Sequence, residues 1–245
     1  MSVVASDIVV YASQNMPQDD LSTAGGAINS GIRLVFTDIE TNSVISSFSD
    51  DNSDSGTLTV VGRDAAGIIQ SENIALSGTT TVSGSQVFER ILSSRIDTSA
   101  IGNITVSGAT EVGTIFPTES GFQRVFYDAT ANSTGGSDKT LYEKGFIKNN
   151  NTTLALQSAT VTEVTTGLYT IVTFGLEKSL NYTESVGNRL NAPTGVTSFG
   201  DGASGVAGNN LTPLDAQGIW LKMELAAGTS STNSFYRIQV EGTTV

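Results

Sequence analysis

Apolar residues in this chain recur at every second position in short runs, and each run ends at a turn former. Leu58 and Val60 alternate with Thr57 and Thr59, and Ile74 and Leu76 repeat the pattern after Asp64-Ala65-Ala66-Gly67. A period of two places such residues on one face of a strand. The four-residue turn between them, with Gly67 free to take positive φ, makes the pair a β-hairpin. Ser77-Gly78-Thr79-Thr80 is a second turn, followed by strand candidates at Gln86 to Leu92 and Ile104 to Val106. Ahead of them, Ile8 to Ala12 and Ile32 to Thr37 read as strands around the loop Asn15 to Asp20.

The same period continues to the C-terminus. Leu141 to Lys148, Leu154 with Leu156, the run Val172-Phe174-Leu176, the run Leu221-Met223-Leu225 and Phe235 to Val240 all read as strands. Val196 to Asn210, with its glycines, reads as a loop or insertion, and only Ser179 to Leu190 suits a short helix. Short strands with frequent turn signals mark a sandwich or barrel. The expected fold is all-β: two tandem β-sandwich domains, Ig-like or jelly-roll-like. The punctuation in Glu111 to Gly121, with Pro117, sets the boundary, giving an N-terminal arm plus sandwich at 1–115 and a C-terminal sandwich at 118–245. A charge step agrees with it: residues 1–120 carry 14 acids and 4 bases, residues 121–245 carry 10 acids and 8 bases.

Chemistry is thinly supplied. The chain has no histidine and no cysteine, which removes the usual general base near neutral pH, soft metal ligands, thiol nucleophiles and disulfides. No motif singles out a carboxylate pair of the glycosidase kind among its 24 acids. Gly200-Asp201-Gly202 and Thr134-Gly135-Gly136 lack the lysine and hydroxyl spacing of a phosphate loop. Asp50-Asp51-Asn52-Ser53-Asp54-Ser55-Gly56 has alternating oxygen ligands, but its glycine falls at position seven and position twelve is Val61, so it departs from a calcium loop and reads as a solvated turn. Trp220, between Ile219 and Leu221, reads as core rather than as an exposed sugar platform. The expectation is a non-enzymatic binding or structural protein with no cofactor and no metal.

Net charge is −12, the wrong sign for nucleic acid or an anionic membrane surface. The opening Met1-Ser2-Val3-Val4-Ala5-Ser6-Asp7 lacks a basic leader, and no apolar stretch is long enough to span a bilayer. Sequons at Asn103, Asn132, Asn150, Asn151 and Asn181 are expected by chance in so Asn-, Ser- and Thr-rich a chain. Synthesis in a cytoplasm without export is the simplest expectation.

The stretch Asp7 to Asp20, then Ser22 to Ile28, resembles the start of a family of virion structural proteins of tailed bacteriophages. Val60 to Gly67 and Gly84 to Ile91 are similar to a repeated hairpin of that family's first β domain. Glu143-Lys144-Gly145-Phe146-Ile147-Lys148-Asn149-Asn150 and Ala216-Gln217-Gly218-Ile219-Trp220-Leu221 are similar to motifs of the same proteins. The resemblance implies a virion component made in a bacterial host's cytoplasm, most readily a capsid decoration or cement protein. Its implied partner is the major capsid protein or another virion protein, and a closed homo-oligomer, a trimer, is expected on a symmetry axis. A tail-tube, connector or fibre-associated subunit and, further off, a carbohydrate-binding adhesin module are the alternatives. Residues 1–30 are the expected contact segment, centred on Met16, Pro17, Asp19, Asp20 and Leu21: flexible or exposed apolar side chains beside a restricting proline, with Gly25 and Gly26 to let the arm turn. The other reading of these residues is a first strand and its loop.

Overall fold

In the computed structural model the chain is described over residues 2–126, 137–164, 172–228 and 236–244. The described residues are all-β. Early strands are β1 (Ile8–Asn15), β2 (Ala24–Arg33), β3 (Ser43–Ser49), β4 (Ser55–Arg63), β5 (Ile69–Ser77) and β6 (Val82–Phe88). They are followed by β7 (Arg90–Ile96), β8 (Ile104–Ser107), β9 (Glu111–Ile115), β10 (Gly121–Gln123), β11 (Lys139–Asn149) and β12 (Leu156–Glu163). The last are β13 (Val172–Leu180), β14 (Ser185–Val186), β15 (Ser204–Gly205), β16 (Asn210–Leu211), β17 (Ala216–Leu225) and β18 (Ile238–Thr243).

The chain divides into two compact units, but they are nested rather than tandem. A framework unit combines Met1–Asn29 with Val125–Val245, and an inserted unit spans Ser30–Arg124. The boundary expected within Glu111 to Gly121 falls inside the inserted unit, where β9 and β10 belong to its sheets. The charge step disappears on this division: the framework unit holds 13 acids and 7 bases, the inserted unit 11 and 5, a net −6 in each.

In the framework unit one sheet runs β13-β17-β11-β1-β2, and β14 pairs with the start of β2. A second sheet has β12 at its centre, flanked by β18 on one side and by β15 and β16 on the other. Their facing sides bury Leu141, Ile147, Val161, Phe174, Leu211 and Ile219. The opening residues are thus not a free arm. Tyr11 lies opposite Phe146 across β1 and β11, and Phe146 opposite Gly218 across β11 and β17. The strand reading of Ile8 to Ala12 holds. Of the strand expected at Ile32 to Thr37 only Ile32 and Arg33 form, as the end of a strand that instead begins at Ala24, through two glycines that read as a turn. Gly25, at φ +90°, is required where it is: a Cβ there would sit 2.8 Å from the Trp220 ring.

One later expectation also changes. Ser179 to Leu190 forms no helix; β13 runs on to Leu180 and β14 follows. Lys178 and Asn181 donate their backbone N–H groups to Gly195 and Ala216 instead of to a preceding turn. Val196 to Asn210 is mostly loop, as expected, and serves as cover: Val196 and Phe199 pack with Trp220, and Phe174 bonds Gly200 in both directions. The loop at Asn132 to Lys139, the glycines at 135 and 136, and Phe235 lie mostly or wholly outside the described residues.

In the inserted unit the end of β2 continues into the order β10-β7-β4-β5, and the other sheet runs β6-β3-β8-β9. Leu58, Val60, Ile74, Ile91 and Phe122 meet Ile45, Phe88, Ile104 and Ile115 between them. The β4–β5 hairpin forms as its alternation predicts, closed by the Gly67 N–H donating to Asp64 with Gly67 at φ 78°. The run Gln86 to Leu92 is not one strand. It breaks at Glu89 and passes from one sheet to the other. An exposed strand edge invites pairing with other chains. Here the edge of β5 is bridged by side chains: Gln70 donates to the Val87 carbonyl, and Glu72 accepts from the backbone of Ser85 and Gln86.

Candidate functional site

The segment between β1 and β2 holds all five residues expected to contact a partner, and the fold gives them different tasks. Asp19 Oδ1 accepts the N–H groups of Leu21 (2.8 Å) and Ser22 (2.7 Å) and the Ser22 hydroxyl (2.9 Å). These bonds, the one from Leu21 foremost, hold its carboxyl below the usual range. Asp19 is therefore a turn cap. Pro17 is buried and Met16 half-buried, its sulfur 3.5 Å from the Ser13 hydroxyl. Met16 is thus not as exposed as the sequence suggested, whereas Leu21 is 83% exposed.

Asp20 is committed internally. Lys139 Nζ lies 2.6 Å from it and Arg189 Nη2 2.9 Å, and Arg189 also reaches Glu143 at 3.3 Å with no solvent exposure. Burial opposes its ionisation, but the hydrogen bonds and charges of Lys139 and Arg189 outweigh burial and depress its pKa. A carboxyl with a lowered folded pKa contributes stability that is present above its unfolded value, near about 3.9, and lost as pH falls through the folded value. Asp20→Asn should therefore cost about 1–3 kcal/mol at pH 7 and flatten the acid limb of stability below about pH 4. Urea melts at neutral and acid pH test this. An acid limb as steep as that of the unchanged chain would refute the assignment.

The larger polar cluster was not expected from sequence. Lys144 on β11 and Glu177 on β13 are fully enclosed and 2.7 Å apart, on either side of β17. The ammonium also donates to the carbonyls of Tyr182 (2.8 Å), Gly26 (3.1 Å) and Glu184 (3.3 Å). Trp220, opposite Lys144 in register, donates its indole N–H to Glu177 at 3.0 Å. Desolvation drives the two groups toward neutrality, lowering Lys144 and raising Glu177, while each partner's charge resists. The ring and zero exposure of Trp220 remove it as a sugar platform. The two motifs carried only part of the signal: Glu143-Lys144 and Gln217 sit beside the apolar Phe146-Ile147 and Ile219-Trp220-Leu221, and Glu177 lies in neither.

In the acidic loop one carboxylate, Asp54, is turned inward. Asp54, buried, accepts the Ser49 hydroxyl at 2.5 Å and the N–H groups of Ile101 and Gly102 at 2.7 and 2.9 Å. Burial works against its charge, but these three donors hold the carboxyl below its usual range. Asp50 accepts the backbone and side-chain N–H groups of Asn103, and Asp51 the Ser53 N–H. These carboxylates fasten neighbouring loops, as a turn reading requires. Among the described residues no three acidic side chains converge to hold a metal. No protein family, curated protein or solved structure matches the chain.

Proposed function

We propose that this is a virion structural protein of a tailed bacteriophage, acting by binding rather than catalysis, and placed on the capsid as a decoration or cement subunit. The observation that carries the reading is where its virion-like motifs lie. The segments Asp7 to Asp20, Glu143 to Asn150 and Ala216 to Leu221 fall on the three adjacent strands β1, β11 and β17 and the turn after β1, and they supply Lys144 of the buried ion pair. The resemblance thus includes a continuous element of the framework unit as well as the segments Val60 to Gly67 and Gly84 to Ile91 of the inserted unit. Its functional polar groups are spent on fixing the fold, which suits a scaffold.

A protein that binds only the assembled shell stabilises it by RT ln(1 + [L]/Kd), about 2.7 kcal/mol per site at a hundredfold excess over Kd. The partner is the major capsid protein or another virion protein, and the subunit is a closed homo-oligomer, a trimer. Copy number per purified particle by quantitative mass spectrometry, with location by electron microscopy, tests the reading. Many copies on the shell support it; a few copies at the tail favour the tube, connector or fibre alternative; none overturns both.

The contact residue we assign is Leu21 rather than Met16. It is presented by the Asp19 cap and by Asp20, which Lys139 and Arg189 hold in place. One buried leucine contributes roughly 1.5–3 kcal/mol, so Leu21→Asp should lower particle occupancy about tenfold or more while leaving the melting profile unchanged. Full occupancy by the variant would eliminate Leu21 as an anchor.

A further inference from the structure

We propose that the outer face of the β4–β5–β7 sheet in the inserted unit binds the acidic surface of a second copy of this chain. Cross-strand register puts Ile69, Arg63 and Arg90 in one row and Asn73, Thr59 and Arg95 in another. Paired positions share a face, so three arginines gather there. Among the described residues Arg63 and Arg95 have no ion-pair partner, while the largely buried Arg90 pairs with Glu89. Arg63 donates to the Gly67 carbonyl, Arg95 to the Gln123 amide, and Arg90 lies 3.7 Å from Glu89, its Nε without a partner. Two arginines directly opposite each other repel, and the fold keeps that arrangement.

The rest of the unit has the opposite sign. Apart from these three arginines it holds 11 acids against 2 bases, yet the outward positions of β4 and β5 hold no acid. Asp64, at the hairpin turn, is spent on the N–H groups of Ala66 and Ile68. Beside the arginines, Ile68 and Ile69 are 63% and 52% exposed. Exposed isoleucine with arginine and without lysine is the composition of an interface rather than of open surface.

The charge distribution also constrains the contact. Setting this face on the same face of a second copy would place arginine on arginine, whereas a different, acidic patch of the next copy is complementary, met either reciprocally about a twofold axis or head to tail in a ring or filament. The inference deepens the oligomeric part of the reading above and names its surface. A chain that is monomeric in solution yet fully occupies particles would overturn it and leave the virion assignment standing.

Light scattering on the intact chain at about 0.02 M and about 0.5 M salt tests it, since screening shortens from tens of ångströms to a few across that range. The expected mass exceeds the 25.4 kDa of one chain at low salt and falls toward it at high salt. Arg63→Glu with Arg90→Glu should weaken association about tenfold or more at low salt, with an unchanged circular dichroism melt. If that variant misfolds, the neutral pair Arg63→Gln with Arg90→Gln decides. A monomer at low salt, a salt-insensitive dimer, or association untouched by the folded variant would each overturn the proposal.

Discussion

Glu177→Ala should lower the stability of the framework unit by about 3–5 kcal/mol, the cost of leaving one partner of a buried ion pair uncompensated. The carboxylate lies 2.7 Å from Lys144 Nζ and takes the indole N–H of Trp220, so its loss strands both an ammonium and a donor in a site with no solvent. Filling the space with a hydrophobic pair should undo much of this: Lys144→Met with Glu177→Leu removes both charges and should recover a large part of the loss. The chain's one tryptophan is Trp220 itself, so its fluorescence follows unfolding of the framework unit alone. A urea transition read by that signal gives the number directly. A loss below about 1 kcal/mol for the single variant would show that water reaches the site and solvates Lys144.

The same residues explain what the sequence could not disclose. Strands β4 and β5 were legible because each has one wet face, and a wet face leaves polar residues at every second position. Strands β11 and β17 have no wet face over most of their length: the β12 sheet covers one side, and Val196 and Phe199 help cover the other. Alternation fades in such strands, and Lys144 and Glu177 look like surface charges because nothing local says they will meet. Trp220 could be placed in the core, since its neighbours are apolar, but its partner Glu177 lies 43 residues away. The contact segment fared similarly. Its capping and its one exposed leucine follow from local turn chemistry, whereas the burial of Asp20 depends on Arg189, 169 residues along the chain. The nesting of the two units was the least legible feature. It is decided by pairing of Ile8 with Asn149 and its neighbours, which no window of sequence contains.

That nesting makes a strong prediction about fragments. A fragment of residues 30–124 should fold alone, with a β-type circular dichroism spectrum and a cooperative melt, because its core between two sheets is complete within those bounds. Ending the same region at residue 115 removes Phe122, 1% exposed in that core, and should cost about 3–5 kcal/mol by analogy with deleting a buried phenylalanine. Residues 118–245 should not fold alone. They lack β1, the neighbour of β11, and the start of β2, which pairs with β14 and supplies the Gly26 carbonyl to Lys144. Removing them opens an edge on β11 and uncovers Trp220 where Gly25 backs it. Deleting residues 1–28 from the full chain should then unfold the framework unit rather than merely free it from a partner. Peptide 1–29 added in trans should restore a blue-shifted Trp220 emission to the 118–245 fragment, since β-strand addition regenerates the missing ladder. A cooperative melt of 118–245 without that peptide would return the chain to two tandem domains.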